Sequence, residues 1–146
     1  MKMHLNLATR DLDASVAFYS TLLGTPPAKR LGDYALFVTE QPGLELALDL
    51  DPSAQAPRGH HFGIVVDTVD DVDEQITRLE AAGYATDVER AETCCYANQT
   101  KVWTADPEGR RWEMYIVHED TDERDGEETT CCRTEAAVAS GATCCR

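Results

Sequence analysis

Two adjacent cysteines, Cys94 and Cys95, stand in the stretch Glu92-Thr93-Cys94-Cys95-Tyr96-Ala97-Asn98-Gln99, between segments that read as plain β-structure. Successive side chains of a regular strand point to opposite faces, so the two thiols can grip one ligand together only where the backbone is irregular. The polar residues Glu92, Thr93, Asn98 and Gln99 predict an irregular loop there. Thiolate sulfur is a soft donor that selects thiophilic centres over magnesium, calcium or manganese. A trivalent organoarsenical, R–As(OH)2, is soft and has two exchangeable positions, one for each thiol. The bland reading of the same residues is two small core side chains or an incidental disulfide.

Three more residues have types and positions suited to a metal. His4 and His61 each lie on a strand face opposite the apolar side that packs on a helix, whereas His60 falls on the other face. In the last strand, Arg111, Glu113, Tyr115 and Val117 share one face and Trp112, Met114 and Ile116 the other, which places Glu113 mid-strand where an unpaired carboxylate is costly to bury. Two histidines and one carboxylate form the facial triad that holds non-haem Fe(II) with positions left open for substrate and O2. The same donors describe a catalytic zinc site, so ligand type does not choose the metal. A lone strand histidine is more often structural; two at equivalent positions of a repeat, with an inward glutamate, point to a site. Aligning Leu44-Glu45-Leu46-Ala47 with Trp112-Glu113-Met114-Tyr115 makes Glu45 the mate of Glu113, as a fourth ligand or a neighbour of the ligands.

The elements that position these residues follow from periodicity. Residues 3 to 8 alternate apolar and polar, which predicts a half-buried strand. Leu12, Val16, Tyr19 and Leu23 then mark a helix face, with Asp11 as N-cap and Gly24 just past the end. Strands are predicted near 28 to 31, at 34 to 39 and, after the turn Gln41-Pro42-Gly43, at 44 to 50. Residues 51 to 58 contain two prolines and read as a linker. The pattern then restarts, because the segment from His61 can be laid on the segment from His4 at a constant offset of 57. A second helix carries Val69, Val72, Ile76 and Leu79, opens with a Thr68-x-x-Asp71 capping box and closes at Gly83. Strands are predicted at 86 to 91, 100 to 104 and 111 to 117, the last two joined by Asp106-Pro107-Glu108-Gly109. The fold class is α+β, two βαβββ modules over 1 to 50 and 59 to 118 within one domain.

Residues 119 to 146 hold eight acidic and three basic residues and no aromatics. Such a segment buries too little apolar area to offset its ordering entropy and reads as a flexible tail. All six cysteines fall in adjacent pairs, the tail carrying Cys131-Cys132 and Cys144-Cys145, and no export signal precedes them. Ligand thiols in a reducing, cytoplasmic compartment fit this better than a secreted disulfide framework. A formal charge of −14 repels nucleic acid and anionic membrane.

With repeat and donors in place, residues 1 to 118 resemble the vicinal oxygen chelate superfamily, which includes glyoxalase I, extradiol dioxygenases and fosfomycin-resistance proteins. Asp106-Pro107-Glu108-Gly109-Arg110-Arg111-Trp112-Glu113-Met114-Tyr115 is similar to its last hairpin. Within it, the combination of His4, His61 and Glu113 with Cys94-Cys95 most resembles the organoarsenical C–As lyases and the related cadmium-induced proteins. The resemblance implies a glyoxalase-like barrel, Fe(II) with O2 as co-substrate, and conversion of methylarsenite or trivalent aromatic arsenicals to arsenite. It implies metal ligation by His4, His61 and Glu113 and arsenic binding by Cys94 and Cys95 on a loop that closes over the iron. Tyr96, Lys101, Tyr115 and Glu45 are candidates beside the metal and oxygen, and the tail cysteines for accessory arsenic binding. The partner is a small molecule, and the chain a monomer or homodimer whose modules most simply close into one site within a chain. Two other readings remain. One is a glyoxalase or thiol transferase using nickel, zinc or manganese, which leaves the cysteine pair idle. The other is a metalloid- or cadmium-binding protein without turnover, which leaves the histidines and Glu113 idle.

Overall fold

The alternation of residues 3 to 8 forms β1 (Met3–Thr9) in the computed structural model of the chain, which describes residues 1–55 and 59–124. Helix α1 (Leu12–Leu23) follows, capped by the Asp11 carboxylate accepting from the Ala14 N–H at 2.9 Å and ended by Gly24 at φ 66°. Strands β2 (Lys29–Arg30), β3 (Tyr34–Thr39) and β4 (Leu44–Leu50) complete the first module. The second comprises β5 (His61–Val65), α2 (Val69–Ala81), β6 (Asp87–Cys94), β7 (Ala97–Ala105) and β8 (Arg111–Asp120). The predicted capping box forms at the start of α2, Thr68 and Asp71 each satisfying the other's backbone N–H.

Each module is a four-stranded sheet, in the orders β1-β4-β3-β2 and β5-β8-β7-β6, with β1 parallel to β4 and β5 parallel to β8. The apolar face of each sheet packs on its helix, and one shared core joins the modules. Phe18 and Tyr19 of α1 are fully enclosed, and Tyr19 meets Trp112 of β8 edge to face at 5.7 Å. Burying a side chain of that size stabilises by roughly 1.5–3 kcal/mol. The Tyr19 hydroxyl donates to Asp106 at 2.7 Å, and the same carboxylate takes the Arg110 guanidinium at 2.8 Å. Burial, then the Asp106 charge, hold the Tyr19 phenol far above its ordinary pKa. Thr9 and the Arg10 N–H bind the Glu108 carboxylate at 3.1 and 2.8 Å, fastening the end of β1 to the β7–β8 turn. Among the described residues no helix is long and apolar enough to cross a membrane.

Three expectations differ from this structure. β8 runs to Asp120 rather than 117, because its backbone pairs with β7 out to Ala97 whatever the polarity of Glu119 and Asp120. The irregular loop at 92 to 99 is instead a hairpin with a two-residue turn, Cys95-Tyr96, between β6 and β7. The mate of Glu113 is Ala47, not Glu45: with the modules superposed on their histidines, Asn6 pairs with Ala47 as Gly63 pairs with Glu113, and Glu45 matches Arg111. A two-residue shift preserves strand alternation, so the pattern could not show it. The tail cysteine pairs lie outside the described residues.

Candidate functional site

The face of the second sheet turned away from α2 gathers four of the candidate residues, His61, Lys101, Glu113 and Tyr115. Register sets their neighbours: Lys101 lies across from Glu89 on one side and Tyr115 on the other, and Trp103 lies across from Glu113. Glu113 Oε1 stands 3.4 Å from His61 Nε2, and Glu113 Oε2 stands 3.4 Å from Lys101 Nζ. Gly63 makes this approach possible. A Cβ there would lie 3.1 Å from Glu113 Oε1 and 2.9 Å from Tyr115 Cε1, so the bare backbone is the floor on which Glu113 and Tyr115 rest.

Trp103 is the hub. The Arg111 guanidinium stacks 4.0 Å from its ring centroid, His61 meets its edge at 5.1 Å, and its indole N–H donates to Glu89 Oε1 at 3.0 Å. Glu89 is 1 % exposed, and its second oxygen faces Lys101 Nζ at 3.8 Å. Burial raises the Glu89 pKa, countered in part by the Lys101 charge and the Trp103 N–H. Sequence patterning passed over Glu89 and Trp103. Their only signal was alternation with Lys101 and Glu113 on one face.

His4 is placed elsewhere. It sits on the open face of the first sheet, opposite Glu45 in register, with Nδ1 3.9 Å from Glu45 Oε2 and both side chains about half exposed. The structure therefore pairs His61 with Glu113 and His4 with Glu45. Among the described residues no group of three His, Cys, Asp or Glu side chains is close enough to hold a metal ion. The pairing of imidazole with carboxylate and the cleared floor at Gly63 do fit a divalent metal at His61 and Glu113, given a third donor.

The cysteines share the hairpin turn. Cys95 and Tyr96 both have positive φ, 57° and 68°, as a two-residue turn between twisted antiparallel strands requires. Leaving the strand at Cys95 breaks the alternation, so the sulfurs of Cys94 and Cys95 lie on one side, 3.2 Å apart. Sulfur bonds of about 2.3 Å, the length typical of thiolate to zinc, make that spacing subtend roughly 90° at a shared atom. That angle suits a pyramidal three-coordinate centre. Cys95 is exposed, and Cys94 is enclosed and disulfide-bonded. The segment beyond β8 crosses the turn, with the Thr121 N–H donating to the Tyr96 carbonyl at 2.8 Å and Tyr96 N–H to the Arg124 carbonyl at 3.3 Å. The turn lies six residues along β7 from Trp103, the residue across from Glu113, about 20 Å at strand rise, so the thiols and the His61–Glu113 pair lie toward opposite ends of the second sheet. Between them, β6 is interrupted by a bulge where Ala91 takes φ 50°. His118, which no reading singled out, shares a hydrogen bond with Thr100 Oγ1 at 2.8 Å.

Comparison with known proteins bears on this arrangement. A trivalent organoarsenical cleaving enzyme of Thermomonospora curvata is 39% identical over 149 residues, covering 99% of each chain. The cadmium-induced protein CadI of Mycobacterium tuberculosis H37Rv is also 39% identical, over 96% of this chain and 99% of that one. Among solved structures, a glyoxalase/bleomycin resistance protein/dioxygenase from Alicyclobacillus acidocaldarius shares the fold, with TM-score 0.64 and 24% identity over 82% of this chain and 92% of its own. The family model described as glyoxalase/bleomycin resistance protein/dioxygenase superfamily matches residues 3–114. On two βαβββ modules, that match and these relatives, the chain belongs to the glyoxalase/bleomycin resistance protein/dioxygenase superfamily.

Proposed function

We propose that the chain is a non-haem iron(II)- and O2-dependent carbon–arsenic lyase that converts trivalent organoarsenicals, methylarsenite and trivalent aromatic arsenicals among them, to arsenite. The observation that carries the reading is the sulfur pair of Cys94 and Cys95, held 3.2 Å apart by a strained turn. Each thiol displaces one hydroxyl of R–As(OH)2 with release of water, Cys95 meeting the arsenical first because it is exposed. Capture by both sulfurs requires Cys94 reduced. The names of the relatives support the substrate class. His61 and Glu113, with His4, would hold the iron, whose chemistry when bound is activation of dioxygen. The bulge at Ala91 lets the hairpin tip bend and carry arsenic toward Glu113, and bringing both reactants together removes much of the entropic barrier. Trp103 and Gly63 fix the His61 and Glu113 side chains for that encounter.

The test is anaerobic Fe(II) loading under thiol reductant, then methylarsenite and air, following arsenite release and oxygen uptake for wild type and Cys94→Ser. Arsenite matched by oxygen loss, and abolished in the variant, supports the lyase. Tight arsenical binding without arsenite refutes it in favour of a sequestering protein.

The split of donors favours a two-copy form of this site. Each open sheet face sets one imidazole beside a carboxylate, His4 with Glu45 and His61 with Glu113. A symmetric pair of chains apposing first face to second would complete two sites. His4→Ala and His61→Ala, each inactive alone, would then recover about a quarter of wild-type activity when randomly mixed, since half the pairs are mixed and each holds one intact site. No recovery would place both histidines within one chain.

A further inference from the structure

Lys101 stands between two carboxylates, and only one of them belongs to the proposed metal donors. Its ammonium is 3.8 Å from Glu89 Oε2 and 3.4 Å from Glu113 Oε2, and all three side chains are largely shielded from water. Charge-assisted N–H···O contacts settle at about 2.7–2.9 Å when nothing opposes them. Both separations are longer, so the ammonium is committed to neither acid. Coulomb energy varies as the inverse of distance, and separations of 3.8 and 3.4 Å make the two attraction energies equal to within about a tenth. Glu89 is held in place for this. Its other oxygen accepts the Trp103 indole N–H at 3.0 Å, and Trp103 is itself clamped between Arg111 and His61.

A divalent ion at His61 and Glu113 must compete with Lys101 for the same carboxylate. We infer that Glu89 is a positioning residue for the metal centre: by drawing Lys101 toward β6, it keeps the ammonium from closing on Glu113 and leaves that carboxylate available to the ion. The inference rests on the reading of His61 and Glu113 as metal donors. A buried acid placed opposite a buried lysine could instead be a plain structural pair. The two roles differ in what happens at Glu113 when the Glu89 charge is removed. With the charge gone, the pull toward β6 is lost while Glu113 stays 3.4 Å from the ammonium, and Lys101 becomes a stronger rival of the metal.

The probe is Mn(II), which oxygen and nitrogen donors hold and thiolates do not favour, titrated into the full-length reduced protein and followed by the loss of the free-ion electron paramagnetic resonance signal. Glu89→Gln keeps the shape and an acceptor for Trp103, and it is expected to weaken Mn(II) binding about tenfold, the lower end of what outer-shell partners of metal ligands contribute. Glu89→Asp, which retains the charge, should bind more tightly than Glu89→Gln. The double variant Glu89→Gln/Lys101→Met should recover at least wild-type affinity, because the rival cation has been removed with its restraint. Unchanged binding in Glu89→Gln, or a double variant as weak as the single one, would overturn the inference while leaving the donors in place. Wild-type binding that survives His61→Ala undiminished would instead remove the donor reading, and the positioning role with it.

Discussion

Replacing Cys95-Tyr96 by Asn-Gly separates the geometry of the turn from its chemistry. Both residues stand in the left-handed region, at φ 57° and 68°, where a side chain costs roughly 1 kcal/mol per residue. Asn tolerates that conformation and Gly adopts it freely, so about 2 kcal/mol of strain is relieved. Losses at Tyr96 and in chain entropy oppose the gain. The Tyr96 ring lies 5.7 Å from the Arg124 guanidinium and is half exposed, a contact worth about 0.5 kcal/mol at such a site. Glycine adds chain entropy to the unfolded state, about 0.5 kcal/mol at the low end of its usual cost. The balance is a variant about 1 kcal/mol more stable, melting about 3 °C higher for a chain of this length. Urea denaturation under reductant, with an unchanged slope, measures the first part. Titration with a trivalent arsenical measures the second and should show the one-to-one complex lost. A variant less stable than wild type would refute the strain argument, and one that still bound the arsenical with wild-type affinity would refute the role of the sulfur pair.

Gly63→Ala would place a methyl 3.1 Å from Glu113 Oε1; it should weaken Mn(II) binding about tenfold while crowding costs at most about 2 kcal/mol of stability, read by titration and melting side by side. Burial raises the pKa of Glu89 in the folded state above the ordinary 4.5, so the folded chain holds that proton more tightly than the unfolded one. Stability from this group is therefore present below pH 4.5 and lost as pH rises through the raised value; Glu89→Gln should flatten the stability profile across that window, and an unchanged slope would count against it. Asp106→Ala strips the partner from the enclosed Arg110 and from the Tyr19 hydroxyl, which should cost about 3–5 kcal/mol and lower the urea midpoint accordingly.

What could be read from the chain was what periodicity encodes. Helix caps at Asp11 and Thr68, the strands around Leu46 and Met114, and the duplication itself all follow from spacing within a single element. The turn at Cys95-Tyr96 was illegible because neither residue favours positive φ. The conformation is held from outside, by backbone bonds from Thr121 and to Arg124, which sequence spacing cannot display. Glu89 was hidden for a related reason. In Asp87-Val88-Glu89-Arg90-Ala91-Glu92 it looks like any solvated acid, and only its register with Lys101 and the reach of Trp103 mark it as enclosed.

The division of the proposed metal donors follows the same physics. Repeat equivalence correctly predicts that His4 and His61 occupy corresponding strands and corresponding faces, because alternation within β1 and β5 decides that much. It says nothing of which faces meet. That is set by contacts between modules, Tyr19 on Trp112 and Thr9 on Glu108, and these join the sheets on their helix-covered sides and at one strand end while His4 and His61 stay on the open sides. An arrangement that bonds so many buried groups, including a fully enclosed tyrosine and an acid–arginine pair, will not open readily to bring His4 to Glu113 within one chain. In the proposed two-copy form, a second copy would supply the missing donor without breaking any of them. The mixed-variant experiment therefore tests the packing of the core as much as the identity of the ligands.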